Sequence, residues 1–390
     1  MVSGGLDAKV EYLSAAACDE VSIAEPRRVL WPDLSGSIYR AARRGGHTSL
    51  LKVLLSNACE NDCAYCANRS SASVPRATLK PDELARTFDE MRQAGLVEGL
   101  FLSSGLCGNA ARTMDRLLDT VEIVRGRYRF DGYVHLKVLP GASADQIERA
   151  GSIADRVSVN LEAPNRRRLS LIAPDKPFDA LVSIVDQIKT LQQRSVGAGL
   201  PRPVVAGLPR PYAPAGQTTQ FVAGAAGESD SELLGSAALL YGRYALRRVY
   251  YSGYRPVEGT PLEGVPAMPR RRQSRLYQAD ALLRGYGFEP GDLPFDEGGE
   301  LPQDCDPKLA WAARHPEHFP VELNTAGRQA LLRVPGIGPT GAERILRLRG
   351  RCRLKELRQL AKLGVAGGRC ASFVLLDGRR PEQQLPLPLP

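Results

Sequence analysis

Cys59, Cys63 and Cys66 stand in the run Cys59-Glu-Asn-Asp-Cys63-Ala-Tyr65-Cys66, a C-x3-C-x2-C spacing that gathers three thiols in one short loop. Three thiolates can each ligate one iron of a [4Fe–4S] cubane and leave the fourth iron without a protein ligand. An iron left open in this way can chelate the amino and carboxylate groups of S-adenosylmethionine, and an electron passed into the sulfonium then breaks a C–S bond. A zinc site and three free thiols are the competing explanations. Structural zinc takes four Cys or His ligands in paired spacings, and neither a second cysteine pair nor the histidines His47, His135, His315 and His318 supply them. A two-cluster ferredoxin needs further cysteines at C-x2-C-x2-C spacing. The remaining cysteines, Cys18, Cys107, Cys305, Cys352 and Cys370, are scattered. Of these, Cys107 falls just past an expected strand and is read as a small apolar residue before a hydrogen-atom donor.

A second motif lies near the C-terminus, in Leu331-Leu-Arg-Val-Pro-Gly336-Ile337-Gly338-Pro-Thr-Gly-Ala342. Helical stretches flank a Gly-Ile-Gly turn. The two glycines permit positive φ and close backbone approach to a phosphate, amides at the next helix's N-terminus can point at that phosphate, and Ile337 would anchor the turn in a core. Arg333, Arg344 and Arg347 surround it, with further arginines at 349, 351 and 353. Residues 321–380 carry 13 Lys/Arg against 4 Asp/Glu, so the chain's net charge of +9 is concentrated there. Such asymmetry points to a polyanion. The alternatives are a solvated arginine-rich surface and a tight helix–helix turn in a protein-interaction module.

The elements that must position these motifs follow from periodicity. Strand-like runs at 49–56, 99–104, 132–139, 156–162, 218–223 and 247–251 alternate with helix-like runs at 80–94, 113–125, 144–151, 179–193 and 231–244. Six strands with helices between them predict an α/β fold with a parallel sheet, either a partial barrel or a doubly wound sheet, with chemistry at the strands' carboxyl ends. The cysteine loop directly follows the first of these strands. His135 and Lys137 share one strand face, a candidate catalytic pair, and Lys137 could hold a phosphate or a carboxylate. Ser158, Asn160 and Glu162 alternate with Val157, Val159 and Leu161 and so share a face that would line a cavity. Tyr250, Ser252 and Tyr254 do the same on the last strand, for stacking or for packing. Residues 1–48 form an N-terminal extension, with 35–47 expected as a mobile basic loop. The barrel is expected over 49–255, a connector over 256–319 with an acidic linker or irregular cap at 291–306, the hairpin module over 320–376 and a Pro-rich tail over 377–390. No internal repeat is evident.

Hydrophobic residues make up 43% of the chain and charged residues 24%, ordinary for a soluble globular protein. No apolar run reaches the roughly 18 residues that span a bilayer, and the N-terminus lacks a basic-then-apolar signal pattern. A cytoplasmic protein with no membrane partner is expected, and in that compartment thiols serve as ligands more often than as disulfides.

With its cysteine run after the first strand of a β/α series, the sequence resembles the radical S-adenosylmethionine superfamily. The resemblance implies a partial (β/α)6 barrel binding a [4Fe–4S] cluster and S-adenosylmethionine, with a reductant such as flavodoxin or ferredoxin as partner. It implies that Tyr65 lies near the adenine. Ser103-Ser104-Gly105 would replace the family's Gly-Gly-Glu-like run at the methionine amino group, without its Glu. Ser158, Asn160 and Glu162 would meet the ribose or carboxylate, and the segment from Gln220 to Gly224 and on to Glu228 would face the adenine. Through Cys-Ala-Tyr-Cys-Ala-Asn68-Arg69, His135-Leu-Lys-Val-Leu-Pro-Gly-Ala-Ser and Asp306-Pro-Lys-Leu-Ala-Trp311, together with the hairpin, residues 48–376 resemble a branch of DNA modification and repair proteins that end in a helix-hairpin-helix. That branch implies DNA as a partner, held through its phosphate backbone, and a uracil-DNA-glycosylase-like protein as a second. An enzyme acting on RNA, and a non-catalytic iron–sulfur adaptor bound to DNA, are the alternatives.

Overall fold

The structure, a computed structural model, describes residues 5–18, 38–43, 46–196, 204–205, 208–209 and 211–381. The chain divides into two units, residues 1–228 with 239–269, and residues 229–238 with 270–390.

Strands of the first unit are β1 (Ile38–Arg43), β2 (Gly46–Leu54), β3 (Gly99–Ser103), β4 (Tyr133–Lys137), β5 (Arg156–Ser158), a short antiparallel pair β6 (Val204–Val205) and β7 (Leu208–Pro209), β8 (Gln217–Ala223) and β9 (Arg248–Gly253). Seven of them make one sheet in the order β1-β2-β3-β4-β5-β8-β9. All pairs from β2 onward are parallel, and β1 is antiparallel to β2. The strand order never reverses, whereas a doubly wound sheet must reverse at its switch point. That monotonic order decides for the partial barrel.

The helices between the strands are α2 (Pro81–Gln93), α3 (Ala110–Gly126), α4 (Ala144–Ile153), α5 (Arg166–Ile172), α6 (Phe178–Val196) and α7 (Asp230–Tyr244), after an N-terminal α1 (Leu6–Cys18). Their starts are chemically marked. Pro81 opens α2. The Asn109 side chain accepts from Arg112 N at 2.7 Å, and Ser143 and Gln146 form a reciprocal capping box on α4. Each cap stabilises by ~1 kcal/mol. Leu84, Phe88, Leu117 and Val121 on α2 and α3, and Leu51, Val53, Leu100, Leu102, Val134 and Leu136 on the strands, are wholly buried, each contributing roughly 1.5–3 kcal/mol. The alternate strand positions are buried as well but polar: Lys52, Ser103, His135, Lys137, Ser158, Thr218 and Gln220. One sheet face is therefore packed on helices, and the other lines a polar interior.

Three expectations are corrected. Residues 38–43 and 46–47 are not a loop: they pair as β1 and β2, adding a seventh strand, while 35–37 and 44–45 lie outside the described residues. The strand expected at 156–162 stops at Ser158. Beyond it the chain stays beside β8 irregularly, Leu161 N donating to Thr219 Oγ1 at 3.1 Å, and Glu162 takes a left-handed φ of 62°. Helix α5 was unforeseen because its run of three arginines hides its apolar positions, of which Leu169 and Ile172 are buried.

The second unit contains α8 (Arg270–Gly285), α9 (Pro307–Arg314), α10 (Arg328–Arg333), α11 (Pro339–Arg349), α12 (Leu357–Lys362) and α13 (Gly367–Cys370), with β10 (Val321–Glu322) parallel to β11 (Val374–Leu375). Leu331, Leu332, Val334, Ile337, Ile345, Leu360 and Val365 form its core. The acidic stretch, expected as a linker or an irregular cap, is tied down: the buried Asp230 carboxylate accepts from Arg272 Nε at 2.8 Å and from Leu301 N at 3.0 Å. Residues 382–390 of the expected tail lie outside the described residues.

Candidate functional site

The cysteine loop leaves β2 and is held by a dense set of polar contacts. Asn57, fully buried, donates to Pro75 O at 2.9 Å and accepts from Ala77 N at 2.7 Å. Arg76 donates to the carbonyls of Asn57 and Asn68, each at 2.8 Å. Inside the loop Asp62 pairs with Arg69 and accepts from Ser71 Oγ at 2.8 Å, and these partners hold its carboxyl well below the usual range. Helix α5 supplies a further tie, Ala64 N donating to Ile172 O at 2.8 Å.

The end of β3 lies directly against this loop. Gly105 N donates to Ser56 O at 2.7 Å, and Glu60 N donates to Leu106 O at 2.8 Å. A Cβ at Gly105 would stand 2.5 Å from Ala58 O and 3.2 Å from Cys59 Cβ. Glycine is thus required by close approach, which sets Ser104 and Gly105 against the cysteine loop.

Cys63 is buried, Cys59 and Cys66 are half-buried, and the Cys66 thiol feels both Cys63 and Cys59, while Cys63 feels Cys59. Burial pushes the Cys66 thiol up to about 12 and raises Cys63. Asn68 N donates to Cys66 Sγ at 3.3 Å. Beside them Lys176 Nζ donates to Glu162 at 2.8 Å within a nearly buried pair, and the Tyr65 hydroxyl bonds to the same carboxylate. The Glu162 carboxylate holds the Lys176 ammonium protonated despite its burial. Lys176 was missed: it follows α5 with no motif around it, and only the fold carries it to the cysteines.

Residues 53–201 match the family model described as the Radical SAM superfamily. The chain carries a radical SAM domain. Among solved structures of similar fold are methylornithine synthase PylB (16% identity, TM-score 0.44, covering 59% of this chain and 60% of that one) and the [FeFe]-hydrogenase maturase HydG (15%, 0.45, 59% and 48%). A third is the radical S-adenosylmethionine methyltransferase TsrM from Kitasatospora setae, with cobalamin and a [4Fe–4S] cluster bound (15%, 0.38, 64% and 44%). The chain spans less than two thirds of the length of each of these. None of the curated protein sequences matches it.

Radical SAM domains use a [4Fe–4S] cluster and S-adenosylmethionine, and the donor set here fits them. Cys66 interacts with both Cys63 and Cys59, and Cys63 with Cys59, so the three thiols converge on one place, where each could take a separate iron of a cubane. The Asn68 amide and the Lys176 ammonium would offset thiolate charge, and loading would release the protons that burial keeps on the thiols. The described residues hold one group spaced for a single ion, His315, Glu317 and His318 in the second unit.

The remaining candidates of the radical SAM domain sort by position. Ser103, Ser158 and Gln220 lie on the polar sheet face and are buried. Asn160 Nδ2 donates to Glu162 at 3.4 Å. His135 stacks on Phe101 with ring centroids 4.2 Å apart and shares a 2.9 Å hydrogen bond with Ser158 Oγ. Burial, then Arg156, Lys137 and Lys52, push its pKa well below the usual value, so the ring is neutral. Gly224 has a φ of +92°, and its N–H donates to the Glu228 carboxylate, which closes the turn. No helix among the described residues is long and apolar enough to cross a membrane.

In the second unit, α10 and α11 flank the Gly336-Ile337-Gly338 turn. Gly336 has φ +87°, Ile337 is 1% exposed, and Lys308 Nζ donates to Ile337 O at 2.5 Å. A second turn joins α12 to α13, with Gly364 at φ +69° and Val365 buried in the core of this unit. Two arginines expected at phosphate have other work. Arg333 donates to Asp292 at 3.0 Å and lies on the rings of Phe288 and Trp311. Arg344 donates to Leu363 O at 2.7 Å, bracing the second turn. Arg347 is exposed.

Proposed function

We propose that the protein is a radical SAM enzyme that modifies or repairs a nucleic acid, with DNA as the target. The observation that carries the radical chemistry is the three-cysteine loop, knotted by Asn57, Asp62 and Arg76 and pressed against Gly105. Cys59, Cys63 and Cys66 would hold the cluster. Bound there, cluster and S-adenosylmethionine supply a carbon-centred radical by one-electron cleavage of a sulfonium C–S bond, the electron coming from a flavodoxin- or ferredoxin-like reductant. Tyr65 and Glu162 fix the loop's wall, Lys176 balances thiolate charge, and the polar sheet face with neutral His135 receives the group to be altered. The nucleic-acid half rests on the two glycine turns within a unit whose residues 321–380 carry 13 Lys/Arg against 4 Asp/Glu. Such turns hold phosphate without reading sequence, and an extruded or single-stranded nucleotide would reach the barrel at a cost of a few kcal/mol.

The test is product analysis. Duplex DNA, single-stranded DNA and RNA are each incubated anaerobically with reconstituted protein, reductant and S-adenosylmethionine, then digested to nucleosides for mass spectrometry. An altered deoxynucleoside that disappears with Cys63→Ala is expected. Alteration confined to RNA would move the target, and unaltered nucleosides from all three would refute the nucleic-acid assignment.

A further inference from the structure

The chain between α9 and β10 gathers two imidazoles and a carboxylate. His315 closes α9, and Pro316–His318 follow as a single 3₁₀ turn in which His318 N donates to His315 O at 3.2 Å. Side chains three residues apart in such a turn eclipse one another, so His315 and His318 come to one side. One nitrogen of each ring and one oxygen of Glu317 all lie within 4.8 Å of one another. His315 Nδ1 is 3.0 Å from Glu317 Oε1, and His318 Nε2 is 3.8 Å from the same oxygen.

Packing holds the rings in place. Trp311 is 3% exposed, and its indole carries His315 stacked at 4.7 Å between ring centroids and His318 at 5.2 Å. Phe319, next in the chain, packs edge-on against both Trp311 and Phe373, so the turn is anchored at either end. The Arg333 guanidinium that lies on the same indole is already paired with Asp292 at 3.0 Å. Asp292 is in turn within electrostatic reach of His315, so the surrounding charge does not oppose an incoming cation.

Hydrogen bonding accounts for only half of this arrangement. Glu317 bonds His315, whereas His318 at 3.8 Å stands beyond hydrogen-bond reach, and an exposed pair of this kind holds its side chains weakly. A tetrahedral ion with bonds of 2.0–2.2 Å spaces its ligands about 3.3–3.6 Å apart, and the two separations from Glu317 Oε1 bracket that edge. Two imidazoles and one carboxylate suit zinc and its neighbours in the transition series, whereas calcium and magnesium take oxygen ligands.

We infer that His315, Glu317 and His318 form a binding site for a divalent transition metal of the zinc class, with water completing the coordination shell. The inference does not depend on the radical SAM assignment, because metal uptake is read without turnover.

The experiment uses the full chain with its cluster in place. Zn²⁺ is equilibrated by dialysis, and zinc and iron per chain are measured together. One zinc per chain is expected, with iron unchanged. Removing even an outer-shell partner of a metal ligand weakens binding roughly 10–100-fold, so Glu317→Gln and His318→Ala should each weaken zinc binding by at least about tenfold. Excess Mg²⁺ or Ca²⁺ should not displace the zinc. No zinc uptake, uptake equal in both variants, or displacement by Mg²⁺ would overturn the inference. Should the variants misfold, X-ray absorption at the zinc edge of the wild-type chain decides. Nitrogen and oxygen ligands near about 2.0–2.1 Å are expected, and a sulfur shell near about 2.3 Å would put the zinc on cysteine and sink the proposal.

Discussion

Gly105→Ala isolates the contact between the end of β3 and the cysteine loop. The added methyl would lie 2.5 Å from Ala58 O, about 0.9 Å inside the 3.4 Å at which ordinary contact begins, and 3.2 Å from Cys59 Cβ. Both obstacles are backbone or the first carbon of a proposed ligand, so neither can swing aside. The loop must shift as a body, against the Asn57 and Arg76 contacts that hold it. Overpacking of this kind costs ~1–3 kcal/mol, and the loss of unfolded-state entropy from Gly to Ala returns about 0.4–1 kcal/mol. A net destabilisation of roughly 1–2 kcal/mol follows, together with displacement of Cys59 and a lower iron content after reconstitution. Gly126→Ala is the control, because a Cβ at that C-terminal residue of α3 meets nothing within 4 Å. Urea unfolding and iron per chain should separate the two variants. A Gly105→Ala protein with wild-type midpoint and full iron would show that this approach does not position the cysteines.

Other consequences can be measured in parallel. Lys176→Met leaves the Glu162 carboxylate buried without its ammonium and should cost about 3–5 kcal/mol, read from urea midpoints; a change under 1 kcal/mol would remove the pair from the account. Burial pushes Lys308 down to about 7, so between pH 7 and its ordinary value of 10.5 the unfolded chain binds more protons. Stability should therefore rise with pH in that window, by roughly 2 kcal/mol from pH 7 to 9, and the rise should vanish in Lys308→Met. Arg347→Ala should weaken duplex binding across sequences and lower the salt slope by about 1. Arg333→Ala should instead lower stability and leave the slope alone, and identical slopes in both variants would contradict the assignment of Arg347. Ile337→Ala empties a core position and should destabilise by about 2–5 kcal/mol.

The sequence was most readable where local chemistry decides the structure. Pro81, Asn109 and Ser143 mark helix starts, and polar–apolar alternation from Tyr133 to Lys137 announces a strand with one polar side. Cys59, Cys63 and Cys66 declare themselves by spacing. What stayed hidden depends on residues far apart in the chain. The strand β1 has no alternation of its own and exists by pairing with β2. Lys176 comes to Cys63 only because α5 turns the chain back onto the loop. The strand beyond Ser158 was overextended because alternation at Val159 and Leu161 persists where Thr219 captures the backbone. Arg333 and Arg344 looked like phosphate ligands by charge, yet a guanidinium finds carbonyls, a carboxylate and ring faces as readily, and sequence cannot rank those partners.

The most direct test of the central claim is anaerobic formation of 5′-deoxyadenosine by protein reconstituted with iron and sulfide, reduced, and supplied with S-adenosylmethionine. Cysteine-dependent product, present in the wild-type chain and absent from Cys63→Ala, is the result expected. A fully assembled cluster that yields none, with or without nucleic acid, would contradict the radical mechanism and leave an iron–sulfur protein that binds without turnover.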